Sequence, residues 1–158
     1  MALIFRTVEF LSLGLWLGAD VFLSFVVAPG AFAVLGNRDA AGMMVGFALG
    51  RMHVIGMILG VLFLLLRLVR TQSVGSLAAP VGLCVVLMVI LTAASQFTVS
   101  KKMVELRREM GSVQNTAKDN PLRVQFDRLH KASVRYEGAV LLLGLAGMFL
   151  LVREVAGK

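Results

Sequence analysis

Charged and imidazole groups set inside long apolar runs are the residues of this sequence most able to do chemistry. Glu9, Trp16, Asp20 and Ser24 recur at spacings that return to one side of a helix. Arg51 and His53 lie in a second apolar run. A charge in such a setting costs a few kcal/mol on insertion scales, so it needs a partner or a task. Counted from the turn at Asn37, Asp20 lies 17 residues back, Arg51 lies 14 forward and His53 lies 16 forward. At 1.5 Å per residue the three share a depth to within about 5 Å. Asp20 is therefore expected to meet Arg51 or His53, and Glu9 to meet Arg67 near the opposite surface. Two tasks fit an Asp20, Arg51 and His53 cluster. One is an ion pair that fixes the register of the two helices; the other is a proton or cation site. Arg51 beside Asp20 would favour the first, because a guanidinium keeps a carboxylate ionised.

Further along, His130, Ser133 and Glu137 fall on one helical face. That face is expected to border a polar cavity mouth, while Arg128, Lys131 and Arg135 reach the headgroups. A third set is sulfur-bearing. Cys84, Met88, Thr92 and Gln96 recur every four residues, and Met52 neighbours His53. Sulfur and imidazole suit a soft ion such as Cu(I), so Cys84, Met88, Met52 and His53 form a candidate metal set. Methionine equally fills irregular apolar gaps, and the chain has no Cys-x-x-Cys or Met-x-x-Met motif. His53 near mid-membrane and His130 near one surface do not suit a bis-histidine haem; a single His with a Met ligand stays open. The simplest expectation is no cofactor, with copper or haem as the alternatives.

The elements that carry these residues follow from hydropathy. Of 158 residues, 58% are hydrophobic and 16% are charged, and the mean hydropathy is +0.86. The apolar residues come in four blocks, approximately 7–35, 41–66, 77–99 and 130–152. Each approaches the roughly 20 residues that a spanning helix requires. Lipid offers backbone groups no partners, which favours helices over an open sheet. The expected fold is all-α, a four-helix transmembrane bundle that fills residues 1–158 as one integral membrane domain. The first block is too long for a signal-peptide core and contains Asp20, so it is read as a retained helix.

The formal net charge is +7, and its placement explains it without nucleic acid. Nine basic residues lie between Lys101 and Arg135, with Arg38 in the first turn. The pattern from Ser100 to Met110 suits a helix continued outside lipid, and Pro121 suits the start of another. Helices three and four should thus extend beyond the membrane as a basic hairpin that meets anionic headgroups. The excess of basic residues puts that hairpin in the cytoplasm and both termini outside. Glycines at four-residue spacing (Gly14 and Gly18; Gly42, Gly46 and Gly50; Gly56 and Gly60) let helices approach closely, within the chain or between copies in a homo-oligomer. Cys84 is the single cysteine, so no intramolecular disulfide forms.

The string Leu15-Trp16-Leu17-Gly18-Ala19-Asp20-Val21-Phe22, followed by Phe25-Val26-Val27-Ala28-Pro29 and Phe32, resembles the first helix of a family of small four-helix membrane proteins. That family includes the eukaryotic transmembrane protein 205, and its bacterial members carry a domain-of-unknown-function label. Ala41-Gly42 through Phe47, Arg51 to Gly60, and Phe126-x-x-Leu129-His130-x-x-Ser133 fit the same pattern. The resemblance implies a multi-pass protein of the bacterial inner membrane. Its eukaryotic namesake is associated with platinum-drug resistance through sulfur-rich helices, and this chain departs from that with its one cysteine. The fold also looks similar to the copper-resistance membrane domain and to a haem-pathway membrane oxidase. The function expected from all this is handling or export of a small cationic or soft-metal species. The alternatives are a haem-binding redox protein and a structural or regulatory subunit.

Overall fold

The computed structural model describes residues 2–157 and contains helices and turns but no strand among them. The helices are α1 (Ala2–Phe22), α2 (Ala28–Val34), α3 (Arg38–Thr71), α4 (Pro80–Ala94), α5 (Lys101–Met110) and α6 (Pro121–Ala156). A π-helical turn, Leu23–Val27, joins α1 to α2, and a second, Ser95–Ser100, joins α4 to α5. Four continuous helical runs result: Leu3–Val34, Arg38–Thr71, Pro80–Met110 and Pro121–Ala156, each long and apolar enough to cross a membrane. The runs exceed the apolar blocks because helix-favouring polar residues continue them past the lipid. This is plainest at α5 and the first turns of α6, which make the basic hairpin.

Local chemistry sets the ends. Asn37 caps α3 by accepting hydrogen bonds from the backbone of Asp39 (2.9 Å) and Ala40 (3.1 Å). Gln72, left-handed at φ 52°, closes it. Asn120 accepts from Leu122 N at 2.9 Å, with Pro121 in the first turn where its missing N–H costs nothing. Gly111, at φ +69°, ends α5 in a conformation that side chains disfavour. The first π turn ends two residues before Pro29. Proline cannot donate to the carbonyl one turn back, and an inserted residue re-registers the ladder there.

In cross-section α1 packs on α3, α3 on α4, α4 on α6, and α6 on α1. The diagonals, α1 to α4 and α3 to α6, make no close backbone approach. Side chains fill the middle: Leu13, Trp16, Phe63, Val85, Met88 and Leu151 form one apolar core. Gly56 and Gly60 of α3 receive the Trp16 ring, and a Cβ on Gly60 would fall 2.6 Å from Trp16 Cζ3. Close approach of this kind compensates for the weak hydrophobic drive between helices in lipid. Outside, large apolar side chains such as Leu15, Phe25, Phe47, Ile58 and Leu142 are exposed. So much open apolar surface suits a lipid-facing belt and not a water-facing one.

The hairpin carries its own small core of Leu106, Val113 and Phe126. Asp39 at the tip of the first hairpin holds it: its carboxylate accepts from Ser112 Oγ (2.6 Å), Val113 N (2.9 Å) and Gln114 N (3.2 Å).

Candidate functional site: a buried imidazole–carboxylate centre

His53, at the middle of α3, is wholly buried. Its Nδ1 lies 2.8 Å from Gln96 Oε1 and its Nε2 lies 2.7 Å from Glu137 Oε1. With the amide oxygen turned to the ring, Nδ1 carries a hydrogen and donates it. Nε2 then faces a carboxyl oxygen, and a single proton between them makes the contact. The pair is imidazolium with carboxylate, or imidazole with carboxylic acid. This contact spans the α3–α6 diagonal, where the backbones stand apart, so the ring occupies the bundle's centre.

Asp20 on α1 faces the same centre, with Glu137 and His53 as its charged neighbours. It is 1% exposed. Ser24 Oγ donates to its Oδ1 at 3.4 Å, while Oδ2 has no protein partner. Glu137 Oε2 and Ser95 Oγ also lack one. Both π turns lie at this level: Asp20 and Ser24 flank the start of the first, and Ser95 and Gln96 open the second. Such turns break the regular ladder and recur at functional sites.

Three expectations require correction. Arg51 does not join Asp20. It is exposed, with its guanidinium 5.3 Å over the Phe47 ring. Residues two apart on a helix point about 200° apart, so burying His53 turns Arg51 outward. His130 does not share a cavity mouth with Ser133 and Glu137. Ser133 is buried and Glu137 mostly so, but His130 is exposed. Near His130 the helix packs chiefly on the hairpin through Phe126 and Leu129, and that narrow seam leaves the histidine outside it. Cys84, Met88, Met52 and His53 do not converge. Cys84 lies beside Gly147 and Met88 beside Gly144, whereas His53 meets Gln96, 12 residues or about 18 Å along the third run from Cys84.

The donor sets for copper and haem therefore do not fit. No group of three or more His, Cys, Asp or Glu side chains able to hold a metal ion occurs among the described residues. Both nitrogens of His53 are already engaged, so axial ligation of haem iron would break a buried hydrogen bond.

A second polar layer closes the opposite end. Arg70 binds buried Glu9 through Nε (2.8 Å) and Nη2 (3.1 Å). Arg67 grips Glu154 at 2.6 and 3.2 Å, donates to Ser76 O at 3.1 Å, and stands 4.0 Å from Glu9. The expected match of Glu9 with Arg67 thus holds loosely, with Arg70 as the nearer partner. Glu154 and Arg70 carried no distinguishing spacing in the sequence. Gln96 stood out only as one member of the polar stripe on the third helix.

Residues 11–112 match the model of a family described as a domain of unknown function, DUF4149. The chain belongs to that family. The matched stretch holds Asp20, His53, Gln96 and Asp39, and the DUF4149 match ends before α6, which supplies Glu137. No curated protein and no solved structure matches the chain.

Proposed function

We propose that this DUF4149 membrane protein handles a small cation within the bilayer, and that the cation bound at the His53, Glu137 and Asp20 centre is the proton. The carrying observation is His53 held at the bundle centre between Gln96 and Glu137, with Asp20 facing the pair. Three titratable groups gathered in lipid-buried protein are costly to keep for packing alone, since apolar residues of similar volume often do as well. The proton suits the site because a proton needs one donor–acceptor contact, whereas a metal ion needs a ligand shell. Gln96 acts as a positioning residue: by holding Nδ1 it fixes Nε2 on Glu137.

The protein sits with its basic hairpin in the cytoplasm, where Arg128, Lys131 and Arg135 meet anionic headgroups. Infrared difference spectroscopy of the purified protein tests the centre. On a pH change, a carboxyl C=O band from a buried acid should appear, shift or vanish, and Glu137→Gln or Asp20→Asn should remove part of it. Identical difference spectra in wild type and both variants would leave only the other reading, a pair that fixes the register of α3 against α6.

A further inference from the structure

Helix α1 carries a second pattern on the face that ends at Asp20. Glu9, Ser12, Trp16 and Asp20 recur at spacings of three, four and four, and all four are buried. Ser12 Oγ, Trp16 Nε1 and Asp20 Oδ2 have no protein partner. Half of the buried side-chain polar atoms in that state, six among the described residues, thus lie on successive turns of one helix. A buried polar atom without a partner costs about 1–3 kcal/mol, and water is the usual partner where side chains supply none.

Both ends of this row reach polar surroundings. Glu9 is bound by Arg70 and approached by Arg67, and these arginines line a 390 Å³ cleft with Thr71, Arg153, Glu154 and Gly157. At the other end Asp20 faces His53 and Glu137, and the Glu137 side chain is 15% exposed. From Glu9 to Asp20 the helix rises about 17 Å, and because these atoms are closed to solvent in the packed bundle, waters join the row only when its side chains part.

We propose that the Glu9–Ser12–Trp16–Asp20 face of α1 is a water-bridged proton path joining the His53–Glu137 centre to the arginine-lined cleft, so that the bundle conducts protons across the membrane. The inference rests on the proton-binding reading of that centre. A proton from hairpin-side water binds the His53–Glu137 pair and passes to Asp20. From there it moves through water and the Ser12 hydroxyl, which both accepts and donates. Trp16 donates only, so it holds a water in line without relaying the proton itself. At the far end the proton leaves through Glu9 and the water of the cleft. The charged groups facing the path are His53, Glu137, Arg67, Arg70 and Glu154.

Proteoliposomes with trapped pyranine, given an external acid pulse while valinomycin and potassium clamp the potential, read the flux. Wild type should acidify faster than protein-free vesicles. Ser12→Leu should fall to the protein-free rate, Ser12→Ala should slow the flux, and Ser12→Thr should keep it. Should the leucine variant fail to fold, the alanine variant decides. Wild-type vesicles no faster than protein-free ones would overturn the path. So would Ser12→Leu and Ser12→Ala conducting as wild type while Glu137→Gln does not, an outcome that leaves the centre intact. Glu137→Gln conducting as wild type would sink the centre reading itself.

Discussion

His53 on α3 and Glu137 on α6 meet at 2.7 Å across a diagonal that their backbones do not close. Removing one partner strands the other, so the two substitutions at Glu137 should behave differently. Glu137→Ala leaves His53 Nε2 buried and unpaired and should cost about 1–3 kcal/mol of stability in detergent unfolding. Glu137→Gln keeps a hydrogen-bonding group there and should unfold closer to wild type. Equal losses in both would mean that the charge itself holds the helices together.

Glycines separate by what they face. A Cβ on Gly56 would fall 2.6 Å from Trp16 Cε2, and one on Gly60 would meet both Trp16 and Val89 at 2.6 Å. Gly56→Ala and Gly60→Ala should each destabilise by about 1–3 kcal/mol, the scale of overpacking. Gly46 has nothing within 4 Å of its Cβ position. Gly46→Ala should leave the monomer's stability unchanged or slightly raised, since alanine favours helix. If copies pair through the outward glycines Gly18 and Gly46, Gly46→Leu should shift the size-exclusion or crosslinking profile toward monomer. An unchanged profile would dismiss that pairing.

The far layer should be the more stabilising of the two. Arg67 is 3% exposed and holds Glu154, Ser76 O and the neighbourhood of Glu9 together. Truncation of one partner in a buried ion network typically costs about 3–5 kcal/mol; with Glu154 more than a third exposed, Arg67→Ala should lie near the lower end. A loss under about 1 kcal/mol, the size of a surface pair, would show that water already screens this layer.

Membrane sidedness is open to direct labelling. In a Cys84→Ser background, cysteine at exposed Asn115 should resist an impermeant reagent in intact cells, and cysteine at exposed Ala156 should react. The reverse pattern would invert the orientation inferred from the basic hairpin.

Hydropathy and length made the four helices and the hairpin legible, because a lipid-buried backbone leaves few other folds. Depth was legible too: matching Asp20 to His53 by residue count placed both at one level. Facing was not. Arg51 and His53 share that depth, but helical geometry allows only one of them inward, and the choice depends on which face meets α4 and α6. His130 and Glu137 share a nominal helical face, yet burial narrows near the hairpin and splits them. The π turns had no periodic signature, although Pro29 marks where the first one lies. Each displaces the residues after it from α-helical register, which a fixed angle per residue cannot follow.

The most direct test of the centre uses the chain's two histidines. His130 is exposed, so a His130→Gln variant leaves His53 as the sole reporter for 15N-histidine NMR. Across a titration from about pH 4 to about pH 10, bracketing the ordinary imidazole range, the Nδ1 signal should stay that of a protonated, donating nitrogen. The Nε2 signal should move as the proton shared with Glu137 is gained or lost, and Glu137→Gln should displace that titration. A proton-binding centre predicts this movement; both nitrogen signals fixed over the whole range in wild type would contradict it.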